Sequence, residues 1–209
     1  MYTQKVRTLG TDLFFYNIKD ANIEEVLLML QRGEVEVNNP DVNGMTALHV
    51  ATEMSSLHLV QLLLSYGANP NLQTRMETGY KTALHIACEK QQRAIVESLV
   101  AAGADINTRN KLGQTCLHLA VRREDVPLAK FLLQKDADTG VRDVVGCTPS
   151  YYAKINDIRE LVDAMPPPVC MKPEEVMDHH VFVRAVLGIK AKKGGKKGGK
   201  KGGKKKGKK

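Results

Sequence analysis

The sequence predicts an all-α protein built as a solenoid of repeated helix-turn-helix units. Two motifs recur in a fixed phase: TALH or a close variant, and an apolar run that ends in Gly-Ala or Asp-Ala. Thr46, Thr82, Thr115 and Thr148 begin or lie within the first motif, at spacings of 36, 33 and 33 residues. Aromatic residues make up only 5% of the chain and Trp is absent, so the core must be aliphatic. A repeat of this length is typical of an array in which each unit contacts its neighbours.

Each unit is predicted to contain two short helices. The Thr is a good N-cap for the first helix, because its hydroxyl can accept a hydrogen bond from an unpaired backbone N–H. The second helix is apolar on one side, and Gly67 or Gly103 follows it, where a left-handed residue ends a helix. Asp136 stands at the equivalent place in the next unit and predicts a weaker helix end, because Asp adopts left-handed geometry less readily than Gly.

These motifs resemble the ankyrin-repeat family over roughly residues 11–165. The resemblance implies a 33-residue unit, in which a β-turn finger precedes two antiparallel helices. It implies an ankyrin-repeat domain over residues 1–165, with three full repeats and two degenerate capping repeats. The full repeats span 41–74, 75–109 and 110–143, and the caps span 11–40 and 144–165.

Two irregularities are expected within this array. An insertion of three residues around 75–78 explains the spacing of 36 and lengthens one finger. In the last unit, counted from Thr148, the second helix is expected to begin about three residues early. Terminal repeats are commonly atypical, because one of their faces meets solvent instead of a neighbour.

The sequence predicts no enzyme, and it predicts no metal, cofactor or small-molecule substrate. No GxSxG elbow and no GxxxxGK[ST] phosphate loop occurs. His49, His85 and His118 recur one per unit, instead of at the i, i+4 spacing that gathers zinc ligands on one helix. In the ankyrin family this His is structural and bonds to a neighbouring finger. The adjacent pair His179 and His180 would point in different directions on a helix.

The four cysteines, Cys88, Cys116, Cys147 and Cys170, show no CxxC pair and no disulfide-framework spacing. We interpret them as small core residues in a reducing compartment. The opening MYTQKVRTLG lacks the apolar stretch of a secretory signal, and no apolar run approaches the roughly 20 residues of a membrane span. The expected location is cytoplasmic, with nuclear or cytoskeleton-associated locations as alternatives, and without membrane insertion.

The resemblance also implies a partner-binding face, formed by the fingers and the first helices on the concave side of the stack. Family positions that vary between members map onto one set of residues here. Met and aromatic members of the set are plausible anchors, because such side chains are enriched at protein interfaces. The set is Val42, Asn43, Met45, Glu53, Met54, Leu57, Tyr80, Lys81, Glu89, Lys90, Arg93, Lys111, Leu112, Gln114, Arg122, Arg123 and Val126.

Residues 166–189 are predicted to form a proline linker and a C-terminal helix. The prolines at 166–168 end the last unit, and Pro173, Glu174 and Glu175 suit the first turn of a helix over 174–187. That helix is too apolar to stand free in water. It either folds back onto the last repeat or inserts into a partner.

The tail, residues 190–209, is predicted to be disordered, because it has no apolar side chain large enough to build a core and its charges repel one another. Twelve of the 31 basic residues lie in it, leaving 19 against 23 acidic ones, so residues 1–189 carry a net charge of about −4. Candidate ligands are RNA, DNA, acidic lipid or acidic protein tails such as those of tubulin; a nuclear-import signal and a solubilising tail are the alternatives. The predicted polyanion-binding residues are Lys192, Lys193, Lys196, Lys197, Lys200, Lys201, Lys204, Lys205, Lys206, Lys208 and Lys209.

Together these features predict a non-catalytic adaptor or scaffold for protein–protein interaction. The ankyrin face would capture a protein, and the polybasic tail would hold the complex near an acidic polymer or surface. The alternative is a structural component of a larger cytoskeletal or ribonucleoprotein assembly, such as a microtubule or an axoneme. There the tail would be bound to tubulin tails or nucleic acid.

Overall fold

Ten α-helices and one 3₁₀ turn make up the regular structure of residues 2–169, and no strand occurs among them. The computed structural model describes residues 2–169, with the side chains of residues 10–169. The helices are α1 Tyr2–Lys19, α2 Ile23–Gln31, α3 Ala47–Glu53, α4 Leu57–Ser65, α5 Ala83–Glu89, α6 Arg93–Ala101, α7 Cys116–Arg122, α8 Val126–Gln134, α9 Pro149–Ile155 and α10 Arg159–Ala164, and the 3₁₀ turn is Met76–Thr78. The all-α solenoid prediction is confirmed for this part of the chain.

The helices form five consecutive pairs arranged in two layers. The first helices of the pairs, α1, α3, α5, α7 and α9, pack against one another in chain order. Among the second helices, α4 packs against α6, and α8 packs against α10. The core is mainly aliphatic, with a few aromatic members such as Phe14 and Phe15, and its fully buried leucines include Leu48, Leu63, Leu84, Leu99, Leu117 and Leu132. Burying a side chain of this size stabilises the fold by roughly 1.5–3 kcal/mol.

A threonine occupies the N-cap position of each of the four helices α3, α5, α7 and α9. Thr46, Thr82, Thr115 and Thr148 all have extended backbone, with φ between −81° and −89°. The predicted N-caps therefore lie where the TALH motif placed them. The left-handed end of α8 is confirmed as well, since Asp136 has φ 58° where Gly67 and Gly103 have 81° and 85°.

A three-residue turn of one geometry joins the two helices of every pair. The middle residue of each turn is left-handed, with φ between 54° and 62°, and none of the five is glycine. These residues are Ala21, Ser55, Gln91, Glu124 and Asp157. A left-handed backbone costs an L-residue roughly 1–2 kcal/mol, so each turn holds strain that a glycine would relieve.

Glu124→Gly should therefore raise the free energy of unfolding by about 1 kcal/mol, net of the greater freedom of glycine in the unfolded chain. Urea denaturation followed by circular dichroism measures the change. Glu124→Ala is the matched control, because it removes the same side chain but keeps the Cβ that opposes the left-handed backbone. Equal stability of the two variants would contradict the strain argument.

The second helix of the last pair begins in register, so the prediction of an early start is wrong. It starts at Arg159, eleven residues after Thr148, as α8 starts at Val126, eleven residues after Thr115. The left-handed Asp157 preserves the turn, and Leu161 is fully buried. Ile155, the last residue of α9, is 52% exposed and does not belong to the core.

The first helix is longer than the sequence indicated. α1 begins at Tyr2, nine residues before the expected cap over 11–40, and it buries Phe14, Phe15 and Ile18. The stretch TDLFFYNIKD has no finger before it and no TALH motif, and the helix runs through this point without interruption. No helix in the described part of the chain is long and apolar enough to cross a membrane.

An asparagine ladder joins neighbouring repeats beside the fingers. The side chain of Asn38 donates to Gly67 O at 3.2 Å and accepts from Asn69 N at 2.8 Å. Asn71 repeats both bonds, to Gly103 O at 3.1 Å and from Asp105 N at 2.7 Å. Asn107 accepts from Asp138 N at 2.8 Å. The next equivalent residue, Gly140, has no side chain, so the ladder ends there.

After α10 the chain returns to the finger of the last repeat. Thr148 N donates to Val169 O at 3.1 Å, and Val169 N donates to Thr148 Oγ1 at 3.2 Å. Cys88 and Cys116 are buried free thiols, as predicted, whereas Cys147 is disulfide-bonded and the reduced interpretation is wrong for it. Cys170, the predicted helix over 174–187 and the tail lie outside the described residues.

Candidate protein-interaction site

Each finger is a tight turn closed by one residue at its base. In three fingers the side chain of Asp41, Asn110 or Asp143 accepts two backbone N–H bonds through Oδ1, at 2.8–3.0 Å. In the remaining finger Thr74 takes this place: its N–H donates to Lys81 O at 2.8 Å, and its Oγ1 accepts from Lys81 N at 3.0 Å. The extra residues of that finger include the 3₁₀ turn, which confirms the predicted insertion.

Consecutive fingers are hydrogen-bonded to one another. Arg75 Nη1 donates to Val42 O at 3.1 Å and joins the first finger to the second. Backbone bonds join the others, from Lys111 N to Gly79 O at 2.9 Å and from Val144 N to Leu112 O at 3.0 Å. The four fingers therefore form one continuous edge.

The repeated histidines connect each first helix to the finger of the following repeat. In His49, His85 and His118, Nδ1 accepts from the N–H of the capping Thr at 3.1–3.2 Å. Nε2 donates to Lys81 O, Gln114 O or Cys147 O, at 3.1–3.2 Å. Both ring nitrogens are occupied by the protein, so neither is left for a metal ion. The structural interpretation of these histidines is confirmed.

The surroundings of the histidines fix their protonation state. Burial lowers the pKa of His49, His85 and His118 below the usual value near 6.5. Protonation would also place a hydrogen on Nδ1, facing the N–H that this atom accepts. The neutral form with hydrogen on Nε2 is therefore the form that holds the repeats together.

Large apolar side chains lie exposed along the finger edge. We call Val42, Met76, Tyr80, Leu112 and Val144 the fingertip row; Leu112 is half-buried, and the other four are exposed, Val42 by 82%. At least one member comes from each finger. Contiguous exposed apolar surface on a protein commonly marks an interaction site.

Comparison with known proteins identifies the architecture. A family model described as ankyrin repeats in three copies matches residues 3–74, 56–143 and 84–165. The chain belongs to the ankyrin-repeat family. Ankyrin repeats generally mediate protein–protein interactions, and proteins built from them are typically non-enzymatic adaptors.

A stretch of the chain is also similar to three plant proteins. It is 42% identical over 60 residues to regulatory protein NPR6 of Arabidopsis thaliana, covering 28% of this chain and 13% of that protein. It is 38% identical over 60 residues to the BTB/POZ domain and ankyrin repeat-containing proteins NBCL of Lotus japonicus and NOOT1 of Medicago truncatula, with 28% of this chain and 12% of each protein covered. The matched region therefore spans about an eighth of the length of these relatives.

Within the ankyrin array, one predicted partner residue is buried, and that prediction is wrong. Gln114 is only 1% exposed, and its Oε1 accepts from Arg122 Nη1 at 3.0 Å. It therefore supports Arg122 and does not reach the surface. Arg122 itself is half-buried, and burial lowers the pKa of its guanidinium. The equivalent pair one ankyrin repeat earlier is an ion pair, Lys81 Nζ to Glu89 Oε2 at 2.7 Å.

The ends of the first helices form a second exposed line of predicted residues. Glu53, Met54, Lys90 and Arg123 are all exposed there. Lys90 Nζ donates to Glu53 O, and Gln91 Nε2 donates to Arg123 O at 3.2 Å, so these ends are joined from one ankyrin repeat to the next. Of the remaining predicted residues, Asn43 is exposed and Met45 is half-buried in the first finger.

Three predicted residues begin the second helices and are not joined to the finger edge. Leu57 and Val126 are half-buried at the starts of α4 and α8. Arg93 begins α6, where its Nε pairs with Glu97 Oε1 at 2.8 Å and its guanidinium lies 5.7 Å from the centre of the Phe131 ring. The interactions of Arg93 are thus with the second-helix layer of the ankyrin array.

Sequence comparison with the ankyrin pattern missed two exposed apolar residues of the fingertip row, Met76 and Val144. Met76 lies in the insertion, which has no counterpart in the 33-residue unit. Val144 lies in the last repeat, which was interpreted as a cap. Counting apolar residues at every finger, caps included, would have found Val144.

Proposed function

We propose that the chain is a non-catalytic adaptor that captures a protein partner on its ankyrin fingers and on the ends of its first helices. One observation carries the proposal: each of four hydrogen-bonded fingers contributes at least one large apolar side chain to the fingertip row. Such a row does not stabilise the folded chain by itself, since its members remain in water. Contact with another protein would remove that apolar surface from water.

Charges beside the fingertip row support a protein partner. Lys111, Arg123 and Arg142 are exposed, and none of them forms an ion pair with a carboxylate among the residues that the structure describes. Unpaired charges at the rim of an interface steer association and select partners of opposite charge.

In the same proposal the polybasic tail contacts an acidic polymer or surface, and the partner is held near it. The support is compositional: residues 190–209 contain twelve Lys and no acidic residue. Lys is a point charge on a flexible stem and suits an irregular anionic surface. RNA, DNA and acidic tubulin tails are the candidates. The expected cytoplasmic, nuclear or cytoskeletal location belongs to this proposal.

Arg123→Glu should weaken partner binding by on the order of tenfold and leave stability within about 0.5 kcal/mol, because the side chain is exposed. The partner is first identified by crosslinking pull-down from native extract at moderate salt, with a protein lacking residues 190–209 as the tail control. Binding of the purified partner is then measured by calorimetry.

Lys135→Glu is the matched control for Arg123→Glu. Both residues are exposed cations at the C-terminal end of a helix, but Lys135 follows a second helix. Equal weakening by both variants would mean that net charge alone matters. Normal binding by Arg123→Glu would mean that this end of the first helices is not part of the site.

A further inference from the structure

Tyr80 occupies a backbone position that the other fingers give to glycine. Gly44, Gly113 and Gly146 have φ values of 75°, 66° and 75°, and Tyr80 has 51°. A large aromatic residue in this left-handed region is strained, whereas glycine is not. The ring is also 42% exposed, so burial offsets the strain only in part. Six other non-glycine residues in the described part of the chain are left-handed, but five lie in the helix turns and one ends α8, whereas Tyr80 lies on a finger.

Neighbouring fingers hold Tyr80 next to other exposed apolar side chains. The stem of Arg75 lies against Gly44, where even an added Cβ would meet Arg75 Cγ at 2.2 Å. That close approach, with the bond from Arg75 to Val42 O, places the first finger beside the lengthened one. Met76 and Val42, exposed by 54% and 82%, therefore lie on the same or the adjoining finger. This N-terminal part of the fingertip row is apolar.

The C-terminal part of the fingers is cationic. Lys111 and Arg142 are exposed and flank Leu112 and Val144 in the sequence. Carboxylates that could neutralise them are engaged elsewhere: Asp41 and Asp143 accept backbone N–H bonds within their own fingers. Among the finger residues Glu77 is an exposed carboxylate; it lies on the lengthened finger, which adjoins the finger of Lys111, and it forms no ion pair among the described residues.

We propose that the fingertip row binds an extended segment of a protein partner that is apolar at one end and acidic at the other, with Tyr80 as the apolar anchor. This inference rests on the proposed adaptor function and names the chemistry of its partner. Neighbouring helices lie roughly 10 Å apart, so four fingers span about 30 Å. An extended chain of about nine residues covers that length. The apolar end meets Val42, Met76 and Tyr80, and the acidic end meets Lys111 and Arg142.

The test measures binding of three fluorescent 12-residue peptides to the full-length protein at 200 mM salt. The apolar–acidic peptide has Leu and Phe in its first half and Glu in its second half. The apolar–basic peptide has Lys in place of each Glu. The acidic-only peptide keeps the Glu residues and has Ser in place of Leu and Phe. The first should bind at least tenfold more tightly than the other two. The acidic-only peptide measures how much of the affinity comes from the Lys tail, because the sequence of the tail is the same in every variant.

Variants at the fingertips separate binding from folding. Tyr80→Gly should lower the affinity for the apolar–acidic peptide at least tenfold, because the aromatic anchor is lost. It should also raise the Tm, because glycine relieves the left-handed strain. Tyr80→Ala should lower the affinity for that peptide by the same factor, but it should not raise the Tm. Tyr66→Ala is the matched control, since Tyr66 is similarly exposed, at 38%, but follows the second helix α4. Lys111→Glu should reduce the preference for the apolar–acidic peptide over the apolar–basic one, whereas Arg142 still attracts the acidic end.

Several results would overturn the inference. Equal binding of the acidic-only and apolar–acidic peptides would assign the affinity to the tail alone. Normal binding by Tyr80→Gly, or an unchanged preference in Lys111→Glu, would remove the fingertip row from the site. Self-association in sedimentation that Tyr80→Gly disperses would show that a second copy of the chain occupies the row. If none of the peptides binds while capture of the partner in the pull-down still depends on Arg123, the adaptor function is supported and this inference is wrong.

Discussion

Raising the salt concentration from 50 to 200 mM should weaken binding of the full-length protein to duplex DNA by on the order of a thousandfold, if about half of the twelve tail lysines engage phosphates. Each neutralised phosphate releases counterions, so log affinity falls linearly with log salt, with a slope of about −0.9 per phosphate on duplex DNA and about −0.7 on single strands. The Lys pairs are separated by flexible Gly pairs and cannot present the planar fork with which Arg reads a guanine edge. Fluorescence anisotropy over a salt series measures the slope.

The control is the same protein without residues 190–209. It should lose this binding while its circular dichroism and Tm remain unchanged, because the tail contributes nothing to the predicted core. Duplex DNA, RNA and acidic peptides should differ mainly by charge density. Salt-insensitive binding, strong preference for one nucleotide sequence, or full binding by the truncated protein would each contradict a charge-only tail.

Acidification should destabilise the fold below about pH 6.5, where unfolded histidines begin to bind protons. The pKa values of His49, His85 and His118 are lowered in the folded protein, chiefly by burial, so the unfolded chain takes up protons that the folded chain does not. The contribution of these neutral histidines to stability is therefore fully present above the unfolded pKa near 6.5, and it is lost as the pH drops towards their folded pKa values. Each histidine lowers the free energy of unfolding by at most about 1.4 kcal/mol per pH unit, so the three together lower it by at most about 4 kcal/mol per pH unit.

Urea denaturation at a series of pH values between 7.5 and 5.5 measures this loss. His85→Gln removes one of the three titrating groups and should reduce the pH dependence by about a third, besides costing roughly 1–3 kcal/mol at neutral pH through the lost contact to Gln114 O. His58→Gln is the control, because the His58 side chain is exposed on α4. A free energy of unfolding that does not change between pH 7.5 and 6 would contradict the burial argument.

The sequence predicted the repeated parts of the fold because their signals are local and recur. A Thr three residues before a His fixes the start of a first helix, and both residues then bond to each other in Thr46–His49 and Thr82–His85. The insertion near residues 75–78 was visible as a change in spacing. The end units were predicted less well, because α1 has no such cap and the last pair keeps the regular spacing of eleven residues from Thr148 although its sequence departs from the motif.

The candidate site was predicted only in outline, because exposure depends on contacts between units. Gln114 precedes a capping Thr, as Met45 and Lys81 do, and nothing local distinguishes the three positions. Gln114 is buried because the half-buried Arg122 pairs with it from the following helix. The strain at Tyr80 is likewise invisible in the sequence until the lengthened finger is aligned on its base at Thr74.

The end of the asparagine ladder at Gly140 makes the joints of the solenoid unequal. In a linear array each joint carries its own share of the cooperativity. Asn38 and Asn71 each contribute two bonds across their joints, Asn107 contributes one, and Gly140 can contribute none through a side chain. The interface between the last two repeats therefore lacks the asparagine bond that the three earlier interfaces have. That interface is instead held by the packing of α8 against α10 and by bonds such as those from His118 Nε2 to Cys147 O and from Asn156 Nδ2 to Val121 O.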